Sequence, residues 1–192
     1  MNDSLDDFSA IDNVLSGQQD AYAILVRKYQ DKIFRLCLSM LSDRMQAEDA
    51  AQDAFVKAYQ ALKKFNRNSS FSTWLYRIAS NHCLDLLRKK TRQKTESWEA
   101  LLEKEGEKIH HLLLKSGNET DAVENADLID RILSLLSPEH RAALVLREID
   151  GFDYQEIAVT LNCSLNAVKG RLKRARRDLE KKLRHFLSPH GV

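Results

Sequence analysis

The 192-residue chain predicts an all-α protein: two small helical domains joined by a flexible charged linker, the C-terminal one containing a helix-turn-helix. Three observations carry this. With 6 Gly and 2 Pro in the chain, helix is the favoured state nearly everywhere. Apolar residues recur at three- and four-residue spacing through two separate stretches and lose that period between them. Finally, "LNCSLNAVKGRLKRARRDLEKKL" joins a polar turn to a helix in which nine of the sixteen positions from Lys169 to Arg184 are Lys or Arg.

The first domain, 1–92, opens with Leu5, Phe8, Ile11, Val14 and Leu15 at helical spacing, then Tyr22, Leu25, Val26 and Tyr29. Another helical run follows through Ile33, Phe34, Leu36, Cys37 and Met40, broken by Ser42-Asp43, which offers a cap for the next helix. In "RMQAEDAAQDAFVKAYQALKKF", Ala47, Ala51, Ala54, Ala58 and Leu62 fall on one side. "NRNSS", 66–70, is a polar loop, after which Ser72 or Thr73 is placed to cap the helix carrying Leu75, Ile78, Ala79, Cys83 and Leu86. Residues 93–121 are charged and aperiodic, a linker with room for one short helix at "IHHLLL". His110 and His111 there point to different helix faces, which argues against a metal site.

Periodicity resumes in the second domain, 122–192, through Ala122, Val123, Ala126, Leu128, Ile129, Ile132, Leu133 and Leu136. Ser137-Pro138-Glu139 starts the next helix, since Pro suits a first turn, and Asp150-Gly151 ends it. "YQEIAVTL", a turn at Asn162-Cys163-Ser164 and a long helix complete the domain. Ile157, Leu161, Cys163 and Val168 supply an apolar wedge, Ala158 permits a close crossing, Asn162 tolerates the left-handed conformation, and Ser164 is a ready N-cap. The long helix puts Leu165, Val168, Leu172, Ala175, Leu179 and Leu183 on its buried stripe. Lys169, Arg171, Lys173, Arg174, Arg176 and Arg177 take the remaining circumference. A solvated face normally mixes signs for pairing across a turn, yet no acid stands between Lys169 and Arg177. Crowded like charges make sense where phosphates neutralise them, so this helix is expected to bind DNA.

Net charge of +2 hides a segregation along the chain. Residues 1–62 hold 6 basic and 10 acidic side chains (−4), and 63–98 hold 9 and 2 (+7). Residues 99–130 hold 3 and 9 (−6), and 131–192 hold 12 and 7 (+5). Two basic blocks separated by an acidic one suit two surfaces meeting one polyanion. The three cysteines are far apart, no stretch reaches the length of a membrane span, and "MNDSLDDFSAID" is no signal peptide, so a cytoplasmic protein is expected. There is no phosphate-cradling glycine loop, metal cluster or nucleophile–base set, hence no enzyme and no cofactor is expected.

The ordered segments "AEDAAQDAFVKAYQAL", "FSTWLYRIASNHCLDLLRKK" and "LSPEHRAALVLREIDGFDYQEIAVTLNCSLNAVKGRLKRAR" strongly resemble the extracytoplasmic-function sigma factors of bacterial RNA polymerase. The resemblance runs from about residue 10 to 185, the linker excepted. It implies a specificity subunit that binds core RNA polymerase, reads the −35 promoter element and melts the −10 element. It also implies restraint by an anti-sigma factor; the short "SPHGV" tail predicts no further inhibitory domain.

By that resemblance, Glu48, Asp49, Gln52, Asp53, Phe55 and Val56 dock the clamp coiled coil of the largest polymerase subunit; a plain solvated face with Phe55 in its own core is the alternative. Asn66, Arg67, Asn68, Ser69 and on to Phe71 form the loop that captures a flipped non-template base. Lys63, Lys64, Arg67 and Arg77 hold the backbone, and Asn81 meets the neighbouring bases. Trp74 suits either a core position or a wedge between strands. In the second domain Arg147 and Tyr154 match phosphate contacts. Asn166, Lys169, Gly170, Arg171, Lys173, Arg174, Arg176 and Arg177 make the −35 face. Ser164, Ala167 and Gly170 stand where many members carry Pro, Thr and Ser, so two hydroxyl contacts are missing. Another reading of the motif alone is a homodimeric helix-turn-helix regulator that works without core polymerase.

Overall fold

The computed structural model describes residues 3–93, 129 and 131–187, and among these every regular element is helical. Helix α1 (Asp3–Leu15) buries Ala10, Ile11 and Val14. It also buries Asp7, a cost met by two donors: Lys28 Nζ gives to Oδ1 and the Tyr29 hydroxyl to Oδ2, each at 2.6 Å. Burial and that carboxylate together hold the Tyr29 phenol above its ordinary range. Gly17, at φ 106°, turns the chain where an L side chain would be strained. A 3₁₀ turn (Gln19–Ala21) leads into α2 (Tyr22–Leu41).

Ser42 ends α2 in the left-handed conformation at φ 53°, and the Asp43 carboxylate then accepts from Gln46 N at 3.0 Å to cap α3 (Arg44–Ala61). Ala47, Ala50, Ala54 and Ala58 are fully buried along α3. Their small side chains let it lie close to α2 and to α4 (Phe71–Gln93). The cap of α4 differs from expectation: Ser70 Oγ accepts from Thr73 N at 3.0 Å, in place of Ser72 or Thr73 as cap. The helix starts earlier because Phe71 is locked inside, its ring 5.7 Å from Tyr29 and 6.0 Å from Phe65.

The second unit comprises α5 (Pro138–Leu144), which widens into one π turn (Val145–Ile149), then α6 (Tyr154–Thr160) and α7 (Leu165–Leu187). Pro138 sits in the first turn of α5 as expected. In the π turn Asp150 N reaches back five residues to Val145 O, at 3.1 Å. Gly151, at φ 73°, then turns the chain toward α6. A capping box opens α6: Asp153 Oδ1 accepts from Gln155 N and Glu156 N, and Glu156 returns to Asp153 N. Ile157, Leu161, Val168, Leu172 and Ala175 are buried between α6 and α7. Leu165, expected on the buried stripe, is 38% exposed; α6 is only seven residues long and leaves the first turn of α7 uncovered.

The two units pack directly on one another, α4 against α5 and α6. The Tyr76 ring lies 4.8 Å from that of Phe152 and its hydroxyl donates to Asp150 Oδ1 at 3.0 Å. Arg141, only 5% exposed, donates to the Met40 carbonyl near the end of α2 at 2.6 Å. Arg88 bonds Glu139 Oε1 at 3.1 Å across the same seam. No helix among the described residues is long and apolar enough to cross a membrane. Most of the expected linker, with His110 and His111, lies outside the described residues; of the first helix of the second domain, residues 129 and 131–134 are described and helical, and Leu133 and Leu136 are buried as expected.

Candidate nucleic-acid interface

The helix-turn-helix forms from the residues singled out for it. Asn162 takes φ 47°, Cys163 N bonds the Ala158 carbonyl at 3.0 Å, and Ser164 Oγ accepts from Ala167 N at 3.2 Å. With Val168, Leu172 and Ala175 facing inward, Asn166, Lys169, Lys173, Arg174, Arg176 and Arg177 are exposed, and Gly170 and Arg171 half-buried. Arg171 folds back toward Cys163 Sγ at 3.5 Å. Arg147 stacks 5.3 Å above the Tyr154 ring while donating to the Phe152 carbonyl at 2.9 Å. Tyr154 in turn floors an open depression of about 400 Å³, walled by Lys169, Lys173, Arg176 and Arg177. Arg176 is paired with Glu148 at 2.6 Å, so a phosphate has to displace an internal acid there.

Gly170 lies inside the continuous helix α7, where only the flexible end of Arg174 approaches: a Cβ there would lie 3.2 Å from Nη2. Gly170→Ala is therefore expected to stabilise α7 by about 1 kcal/mol. Amide exchange along Ala167–Lys173 should slow in that variant, and unchanged exchange would contradict it.

The loop between α3 and α4 stands on an aromatic floor. Phe65 and Phe71 are buried, and half-buried Trp74 packs 5.0 Å from Phe65 and 5.8 Å from Phe71. Lys63, Lys64, Asn66, Arg67, Asn68 and Arg77 are exposed on this floor, with Ser69 and Asn81 partly so. Phe71, at 1% exposure, supports the loop from beneath. Arg67, expected on the nucleic-acid backbone, is ion-paired with Asp12 of α1.

On α3, Glu48, Asp49, Gln52 and Asp53 are exposed, as is Val56. Phe55, expected among them, is buried, and its carbonyl accepts from the Tyr22 hydroxyl at 2.8 Å; its position on the alanine side of the helix turns it into the core. Met45 and Tyr59, which the sequence reading missed, are exposed on the same helix. The spacing 45, 49, 52, 56, 59 traces one face and could have found them. Asp53 is also held by His82 Nε2 at 3.1 Å, tying this face to α4.

Both halves of this arrangement have counterparts. Residues 25–93 match the Sigma-70 region 2 family and residues 126–179 match Sigma-70 region 4. Over 178 residues the chain is 39% identical to the ECF RNA polymerase sigma factor SigW of Bacillus subtilis, covering 91% of this chain and 95% of that one. The chain belongs to the ECF RNA polymerase sigma factors. A second relative, the ECF RNA polymerase sigma-E factor of Escherichia coli, is 33% identical over 97% of this sigma factor and 99% of its own length. Among solved structures, CnrH in complex with the cytosolic domain of CnrY aligns over 93% of this sigma factor and 97% of its own chain, at 26% identity and a TM-score of 0.66. The sigma factor RpoE from Bartonella quintana, in complex with the anti-sigma factor NepR, shares the fold at a TM-score of 0.60 and 21% identity, over 85% of this chain and 96% of its own. The region 2 match takes in α2, α3, the loop and α4 of this sigma factor, while α1 precedes it.

Proposed function

We propose that this sigma factor is a promoter-specificity subunit whose three exposed surfaces divide the work. The face of α3 formed by Asp49, Gln52 and Val56, with Met45 and Tyr59, docks core RNA polymerase. Carboxylates around an apolar contact complement a basic partner helix and set its register. Helix α7 enters the −35 major groove, where Lys169, Lys173 and Arg174 meet base edges and phosphates. The loop at 66–70 takes up a flipped −10 base. Extraction costs a few kcal/mol, and edge contacts from Asn66, Asn68 and Ser69, with Lys63, Lys64 and Arg77 on the backbone, repay it. The work is binding and strand separation in the cytoplasm, with no covalent step, and a partner of anti-sigma type holds the protein in reserve.

The observation that carries this reading is the pairing, in one chain, of a cationic helix-turn-helix with a second cationic loop on an aromatic floor. Run-off transcription by core enzyme on a promoter library, with and without the protein, tests it. New start sites and retention of core polymerase in a pull-down are expected; tight binding to a palindrome without polymerase would favour the homodimeric regulator instead. Replacing Lys173 and Arg174 together by Ala is expected to remove −35-dependent selectivity while core binding holds. Equal loss of core binding would contradict the division of labour.

A further inference from the structure

Helix α1 precedes the region 2 match, yet it reaches the loop that takes up the −10 base. Arg67 is the apex of that loop and adopts φ 58°, a conformation that L side chains other than Asn and Asp seldom hold without help. Two α1 side chains provide the help. Asp12 pairs with the Arg67 guanidinium, and Phe8 lies under it, 5.3 Å from ring centroid to Cζ. Phe8 in turn stacks on Phe65, 6.3 Å away, at the entry of the loop. The exit is fixed separately by the Ser70–Thr73 hydroxyl contact at 2.9 Å and the Ser70 cap. Between these anchors Asn66 Oδ1 accepts from Asn68 N at 3.3 Å, leaving the polar side chains of the loop at the surface.

We propose that Asp12 and Phe8 are positioning residues for −10 recognition: they clamp Arg67 in its left-handed conformation and so shape the loop that presents Asn66, Asn68 and Ser69 to the base. This rests on the −10 reading given above. It gives Arg67 a different task from a phosphate contact, because its guanidinium is already committed to an internal carboxylate and an aromatic face. The clamp is separable from the fold of α1, which Asp7, Ala10, Ile11 and Val14 hold from the buried side.

The test uses holoenzyme assembled from core polymerase and full-length protein. The probes are labelled non-template oligonucleotides whose −10 sequence comes from the promoters returned by run-off selection. The quantity read is the affinity ratio between the selected base and a substitution at each −10 position. A correctly read base is worth roughly tenfold or more. Asp12→Asn and Phe8→Leu are each expected to lower that ratio about tenfold at the captured position, with core binding unchanged. Asp12→Glu should restore most of it, and Arg67→Ala should add nothing to Asp12→Asn. The salt dependence of binding separates the two tasks of Arg67. A lost single-strand phosphate contact lowers the slope by about 0.7, whereas removal of a clamp leaves it unchanged. The clamp is overturned if Arg67→Ala lowers the slope by that amount and Asp12→Asn tightens binding, for then Asp12 merely competes with DNA. It also falls if base ratios in the Asp12 and Phe8 variants equal those of the native protein. If native holoenzyme itself discriminates at no −10 position, or Asn66→Ala and Asn68→Ala change nothing, the base-capture reading has failed and the clamp with it.

Discussion

Replacing Arg141 by Ala is expected to open the free protein, raising its radius of gyration and tightening its binding to core polymerase roughly ten- to a hundredfold. Geometry makes opening necessary. The −35 and −10 elements lie 25 base pairs apart by name, or about 85 Å of duplex at 3.4 Å per pair. A compact chain of this length has a radius of gyration of about 16 Å. Yet here the two reading units touch, with Tyr76 against Phe152 at 4.8 Å and Arg141 on the Met40 carbonyl at 2.6 Å. On the proposed division of the −10 and −35 elements between the two units, both can be engaged only after that seam parts. Arg141 is a charged donor buried in that seam, only 5% exposed. A hydrogen bond from a charged group contributes about 1.5–3 kcal/mol, and the apparent affinity of a protein held closed falls by its competent fraction. Small-angle scattering and core-binding titrations of the native and Arg141→Ala proteins read the two consequences. An unchanged radius together with unchanged core affinity would show that the seam is not what restrains the chain.

This seam also marks where sequence reasoning stopped. The periodic apolar positions Ala47, Ala54, Leu75, Ala79, Val168 and Leu172 are all buried, because each contact is made within its own helical unit. Tyr76 and Arg141 are interior as well. Each meets a partner more than fifty residues away in sequence, Asp150 and Met40, and a polar residue on a helix face carries no sign of such a partner. The turn residues were legible for the opposite reason. Asn162, Ser164, Asp43 and Gly151 act on their own backbone within a few residues. The candidate site follows the same division. Phe55 and Phe71 stand at motif positions, and helix geometry and the neighbouring rings turn both into the core. Asp12 was passed over because its partner, Arg67, is fifty-five residues away.

The closed form is expected to loosen as pH rises, and Asp150 is the reason. Its carboxyl lies in the seam, pushed up to about 6 chiefly by burial; the Tyr76 hydroxyl on α4 and the Arg35 and Lys32 charges on α2 pull it back down. Only Oδ1 has a donor, while Oδ2 is buried without one. When the units separate, the group returns to the ordinary value of 3.8. The sign follows from which form binds the proton more tightly. Closing takes up a proton between the two values, so protonation favours the closed form, and that advantage disappears as pH climbs past 6. With those two values the closed-to-open ratio falls about tenfold between pH 5 and pH 7.5. Asp150→Asn, which cannot ionise, should remain closed across the range and should bind core polymerase more weakly than the native protein at pH 7.5. Tyr76→Phe removes the donor that favours the carboxylate and should make the native pH dependence steeper. Scattering at several pH values reads all three proteins. A pH profile that Asp150→Asn leaves intact would show that the Asp150 carboxyl is not its cause.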